Sequence, residues 1–303
     1  MIRMAQNRNV KLKGCLYAFM AGMLWGITSP AAQYLFERKN IVSEWLVPFR
    51  LVFAGLLLLI YAGVRGQDIT SVWKEKTDAC RLVLFGVFGM LGMQFTFFSA
   101  VQEMDAGTAT IFQYLNPAML ILFFAVVYKI MPGKKEIAAV LAAISGIAIV
   151  ATHGNLSSLA ISPKGFLLGM LLAVTTCFYG VLPAPLVKRY SAEAVSAWGM
   201  IVGGLVLMAV TRPWRIPVVI DVQVAAAFVT IITVGTILPF CFYLSAVKYT
   251  GSVYAGLFSC VEPVAASVVA AVFLGTRFMK MDILGFALVL STLFILAIPE
   301  KLR

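Results

Sequence analysis

Of the 13 acidic residues in this chain, only Glu262 falls near the middle of a long apolar stretch. An ionised carboxylate at that depth in hydrocarbon is costly unless it is paired or hydrated, so its side chain must face the inside of a helix bundle. There it can neutralise a cationic group of a solute, or gain and lose a proton and so couple movement to a proton gradient. The plainer alternative is a glutamate that hydrogen-bonds between helices and serves packing alone. At helical spacing Ser252, Ala255, Ser259, Glu262 and Ala266 share one small, polar face, whereas Val264, Val268 and Phe273 put their bulk elsewhere. The small face is expected to line a cavity.

Arg50 also lies within an apolar stretch, toward its outer end. It could snorkel to the interface, form a structural ion pair, or meet a carboxylate of a solute. Trp25, Tyr114, Phe178, Tyr179 and Tyr243 offer ring faces that could cage an ammonium or stack on an aromatic solute, although most membrane aromatics pack or anchor. Trp45, Trp73 and Trp214 fall near interfaces and read as belt residues. Pro117 and Pro263 each remove a backbone donor within a span and are expected to kink it just after a polar pair, a candidate hinge. His153, the only histidine, sits beside Gly154 and Asn155 and reads as a loop residue rather than a proton relay.

Other chemistries lack their residues. The five cysteines lie in or beside apolar segments without C-x-x-C spacing, so neither a disulfide framework nor a metal site is expected, and no cofactor is implied. Without a G-x-x-x-x-G-K-S/T loop, ATP-driven movement would need another subunit. One histidine at the outer end of a span and one central carboxylate do not supply the convergent groups of an enzyme. A channel needs a continuous polar lining, whereas the polar residues cluster near mid-depth. The net charge of +11 raises nucleic acid as a partner, but the basic residues sit in loops without interleaved aromatics, so none is expected.

The elements that must position these residues follow from hydropathy. With 61% hydrophobic and 12% charged residues and a mean hydropathy of +0.95, the chain cannot cover itself in water. Apolar stretches of about 20 residues, enough to cross the bilayer as helix, recur throughout. Continuous runs such as Gly55–Tyr61 and Met119–Val127 exclude the alternation of a membrane β-barrel. Spans are expected near 14–36, 43–64, 81–101, 105–128, 135–153, 163–187, 192–211, 222–247, 250–275 and 279–298, the first read as a retained helix rather than a leader. With both termini inside, Lys and Arg number about 16 on the cytoplasmic side against 7 outside, which sets the expected topology. Gly86, Gly89 and Gly92, and Gly199 with Gly203, read as packing seams.

The chain also repeats itself. Ser99-Ala100-Val101 matches Ser245-Ala246-Val247, and in the same register Ala109 matches Ala255, Phe112 matches Phe258, Pro117 matches Pro263 and Lys134 matches Lys280. Trp25-Gly26 resembles Tyr179-Gly180 at a slightly different offset. The unit is five helices, giving halves 1–158 and 159–303. An odd number of spans per unit turns the second copy upside down, so the expected fold is an all-α integral membrane protein of ten transmembrane helices in two inverted five-helix repeats. By this register Gln113 and Asn116 take the places of Ser259 and Glu262, and the four are expected to converge near the midplane.

The Leu24-Trp25-Gly26 element, Pro48-Phe49-Arg50, Ala106-Gly107-Thr108-Ala109 and the paired Asn116-Pro117 and Glu262-Pro263 resemble the EamA family of the drug/metabolite transporter superfamily. The resemblance covers nearly the whole chain and implies exporters of amino acids, metabolites or drugs, with some importers. The glutamate that members often carry where the fourth and ninth spans end is replaced here by Tyr128-Lys129 and Gly275-Thr276. The expectation is a secondary transporter in a bacterial inner membrane, exporting a small polar metabolite such as an amino acid by alternating access, with organic cations or drugs as the alternative cargo. Glu262, Ser259, Asn116, Gln113, Trp25, Tyr179, Tyr114, Tyr243 and Arg50 are the expected solute contacts, and Glu262 the proton-coupling group. The expected partners are a small-molecule substrate and the lipid bilayer, with a homodimer left open.

Overall fold

The computed structural model describes residues 2–153, 160–250 and 252–297. Among these it contains helices and no strand, and 10 of the helices are long and apolar enough to cross a membrane. They are α1 (Leu12–Lys39), α2 (Ser43–Val64), α3 (Lys76–Glu103), α4 (Ala106–Val127), α5 (Lys134–Thr152), α6 (Pro163–Val187), α7 (Ala192–Thr211), α8 (Val222–Thr250), α9 (Tyr254–Leu274) and α10 (Lys280–Ala297). All ten expected spans are present. Most bounds move by one to four residues; α3 starts earlier, at Lys76, because its charged first turns continue the same helix beyond the apolar stretch. Gly154, Asn155, Lys301, Arg303 and the boundary between the two expected halves lie outside the described residues.

Contacts at the helix ends fix the directions. Lys39 at the end of α1 meets Asp221 before α8 at 2.6 Å, Lys164 in α6 meets Glu103 in α3 at 2.6 Å, and His153 after α5 meets Asp282 in α10 at 2.7 Å. These contacts share one face, the far face. On the opposite face, which carries the start of α1 and the end of α10, Asp78 in the first turn of α3 holds Arg189 at 2.5 Å and Tyr190 at 2.8 Å, both after α6. We call this the terminal face. His153 is thus a helix cap in the left-handed conformation that also joins α5 to α10, more than a loop residue.

Packing pairs follow a pattern. α1 lies on α8 and α9, α6 on α3 and α4, α2 on α7, α5 on α10, and α4 on α9. Exchanging each helix with the one five places along leaves this set unchanged. Two kinds of departure from regular helix follow the same exchange, while a further π-helical segment, Ala270–Leu274 in α9, has no counterpart in α4. π-helical segments occur at Phe85–Leu91 in α3 and Thr233–Ile237 in α8. α4 breaks at Tyr114 and Leu115 and α9 at Cys260 and Val261, corresponding places in the repeat register.

These breaks differ from the expected kinks. Each helix stops before its proline and restarts at Asn116 or Glu262, so Pro117 and Pro263 occupy the first turn of a new segment, where a missing N–H breaks no intrahelical bond. The break therefore lies between the members of each polar pair rather than after them.

α1 approaches the α9 break unusually closely. A Cβ on Gly22 would stand 2.3 Å from the Ser259 carbonyl oxygen, and one on Gly26 would stand 2.5 Å from that of Glu262. Hydrocarbon gives no hydrophobic drive between helices, so such small-residue contacts supply much of the packing. The expected seams behave alike: Gly86 and Gly203 bring α3 onto α7, while Gly92 meets Thr175 of α6. Trp45 is not a belt residue, because it is buried against Phe49 and Phe228; Trp214 is exposed, and Trp73 packs edge-on to Trp198.

Candidate solute-binding cavity

A cavity of about 470 Å³ lies where the broken segments of α4 and α9 face one another. Its wall contains Glu262, Ser259, Asn116, Gln113, Trp25, Tyr179, Tyr114, Tyr243 and Arg50, and also Pro117; Pro263 is buried away from it. Of the small α9 face, Ser259 and Glu262 reach the cavity, whereas Ala255 and Ala266 are fully buried in helix packing. The side chain of Ser252 lies outside the described ones. Val264, Val268 and Phe273 are exposed on the opposite side, as their bulk suggested.

Glu262 is 5% exposed, and no basic side chain pairs with it among the described residues. Its position follows from the break. The first segment ends at Ser259, so its carbonyl is an end group without a helical partner, and Pro263, four residues on, has no N–H to offer it. The Tyr114 hydroxyl, delivered by the corresponding break in α4, lies 3.1 Å from that carbonyl and 3.3 Å from Glu262 Oε2. One proton thus serves either the freed carbonyl or the carboxylate. Tyr114, expected as a ring face, also acts through its hydroxyl.

Arg50 does not snorkel and joins no ion pair among the described residues. It is 5% exposed; its Nε donates to Thr236 Oγ1 at 3.1 Å and its Nη1 to Gln94 Oε1 at 2.9 Å, and the guanidinium lies 4.5 Å from the centre of the Phe98 ring. Sequence reasoning missed Gln94 and Thr236. The available signal was a glutamine and a threonine inside apolar spans, where a neutral polar group also needs a partner. Trp25 packs against Phe240 and Tyr243, and Tyr179 against Phe85, forming two aromatic walls. Phe178 points outward instead and does not line the cavity.

The cavity reaches the terminal face along Leu293, Leu296 and Ala297 of α10 and Gly256 of α9. Toward the far face its wall ends at Ser29, Arg50 and Phe98. Above them Gln33, 1% exposed, donates to Glu37 at 2.8 Å and to Thr276 at 3.1 Å, and accepts from the Ala106 N–H at 3.0 Å. That one amide joins α1 to the start of α4 and to the α9–α10 turn. No cluster able to hold a metal ion occurs among the described residues.

Comparison with known proteins agrees with this architecture. The model of the EamA-like transporter family matches twice, over residues 12–152 and 163–298. The uncharacterised inner membrane transporter YicL of Salmonella typhimurium is 32% identical over 96% of this chain and 97% of its own. The uncharacterised transporter YyaM of Bacillus subtilis is 23% identical over 91% of both chains. A solved crystal structure shares the fold, with a TM-score of 0.64 over 94% of this chain and 96% of its own at 16% identity. The chain is a multi-pass inner-membrane protein and belongs to the EamA-like transporter family.

Proposed function

We propose that this chain is a secondary active exporter of a small polar metabolite such as an amino acid, working by alternating access with Glu262 as its proton-coupling group. The observation that carries the reading is a mid-depth cavity whose wall joins two corresponding helix breaks and holds a buried, unpaired carboxylate. Two inverted five-helix halves, 1–158 and 159–303, exchange conformations so that the cavity faces first one compartment and then the other. The breaks before Pro117 and Pro263 are the hinges. The excess of Lys and Arg makes the terminal face cytoplasmic, so the cavity described above is the inward-facing form. The aromatic wall of Trp25, Phe240 and Tyr243 favours a second reading, export of organic cations.

Counterflow in proteoliposomes tests transport: saturable exchange of a labelled solute is expected, whereas non-saturable flux would indicate a channel. Glu262→Gln should retain exchange while losing acceleration by a proton gradient. An unchanged pH dependence in that variant refutes the coupling role.

A further inference from the structure

We infer that the far-face end of the cavity is an anion subsite centred on Arg50 that receives a carboxylate of the solute. The inference rests on the cavity being the solute site. Three observations point the same way. First, the guanidinium is buried at the cavity wall with no carboxylate within 4 Å among the described residues, and a buried charge without a counterion is strongly unfavourable unless something supplies one. Second, only two of its five N–H donors have protein partners among the described residues, those to Thr236 and Gln94. Third, both partners are neutral acceptors that orient the group without cancelling its charge.

The orientation is built into the backbone. Thr236 lies in the π-helical segment of α8, and its hydroxyl donates to the Ile231 carbonyl at 2.9 Å, five residues back. Its oxygen lone pairs are thereby left for Arg50 Nε. The Phe98 ring lies against the guanidinium, which leaves the edge of the fork to meet a planar acceptor. The free donors and the flat, delocalised cation fit a carboxylate, which accepts two parallel N–H bonds.

Glu262 lies deeper in the cavity. Arg50 is seven residues from the far-face end of α2 and Glu262 twelve from that of α9, an axial offset of about 8 Å at 1.5 Å per residue. The cavity thus separates a positive end from a negative one. A solute carrying a carboxylate and an amine would lie with its carboxylate toward the far face.

The test is ligand-induced thermal stabilisation of the purified full chain in detergent. Matched probes are 3-phenylpropionate, phenylalanine, phenylalaninamide and phenethylamine, with butyrate, 2-aminobutyrate and 2-aminobutyramide as an aliphatic set. At least one carboxylate should bind about ten-fold more tightly than its amide or amine counterpart, as expected for a charge-assisted bidentate contact. Arg50→Gln should bring that ratio within about two-fold, and Arg50→Lys, which keeps the charge and loses the fork, should fall between. Should Arg50→Gln fail to fold, Gln94→Leu and Thr236→Val carry the test, because they keep the guanidinium and remove its orientation; each should reduce the ratio. The subsite is refuted if no carboxylate outbinds its counterpart in the unaltered protein. It is equally refuted if the ratio persists in Arg50→Gln or, where that variant does not fold, in both orienting variants. Carboxylate binding that depends on Arg50 without counterflow would overturn the transport reading and leave the subsite standing; counterflow with an Arg50-independent ratio would do the reverse.

Discussion

The breaks in α4 and α9 share a backbone and differ in chemistry. Both stop two residues before a restart whose second residue is proline, yet α9 presents Glu262 where α4 presents Asn116. Their surroundings differ as well. At α9 the freed Ser259 carbonyl faces the Tyr114 hydroxyl, and α1 closes over it through Gly22 and Gly26. At α4, Cys177 of α6 supplies a thiol to the Asn116 carbonyl at 3.4 Å, and Gly180, the counterpart of Gly26, would have nothing within 4 Å of an added Cβ. A duplicated framework can thus hold its geometry while one copy takes up charge and tight packing and the other stays neutral and open.

The sharpest way to break the comparison is to exchange its chemistry. Glu262→Gln should lower proton-driven transport on the order of 100-fold, near the upper end of coupling energies, while Asn116→Ala leaves the pH profile of counterflow unchanged. Next come the seams. Gly26→Ala should cost about 1–3 kcal/mol through overpacking against the Glu262 carbonyl. Gly180→Ala should stay within about 0.5 kcal/mol, both read by thermal unfolding in detergent. Tyr114→Phe removes the hydroxyl from the freed carbonyl and should cost about 1–2 kcal/mol, whereas Cys260→Ala, at the corresponding place in α9, should cost less. Pro117→Ala and Pro263→Ala should each cost less than about 1 kcal/mol in stability because a first-turn proline breaks no helix bond. If the breaks are hinges, these variants still slow counterflow, since a restored N–H lets each helix run on.

Hydropathy made the ten helices legible because a bilayer forces each span to satisfy its own backbone, leaving length and polarity as the main variables. The same constraint marked Glu262 and Arg50, whose charges are conspicuous in apolar sequence. Less visible was what each group touches. A proline in a span signals a missing donor, but whether the helix bends or restarts depends on partners such as Gly22 and Tyr114 that lie far away in the chain. Arg50 near a span end permits snorkelling on sequence grounds; only tertiary packing turns it onto Gln94 and Thr236. Trp45 and Phe178 exchanged their expected environments for the same reason, since hydrophobicity does not distinguish a side chain facing lipid from one facing a neighbouring helix.

The contacts that fasten the helix ends are of two kinds. On the far face, Gln33 joins α1, the start of α4 and the α9–α10 turn through an uncharged amide, whereas the Asp78 cluster on the terminal face relies on Arg81, Arg189 and Tyr190. Parting the amide trades its bonds for water ones of similar strength and separates no ions at that point, so dissolved electrolyte has little hold on it. Parting the ionic cluster becomes easier as salt rises. The Lys39–Asp221, Lys164–Glu103 and His153–Asp282 pairs weaken with it, so raising ionic strength loosens the charged contacts of both ends and leaves the Gln33 amide as the fastening that changes least.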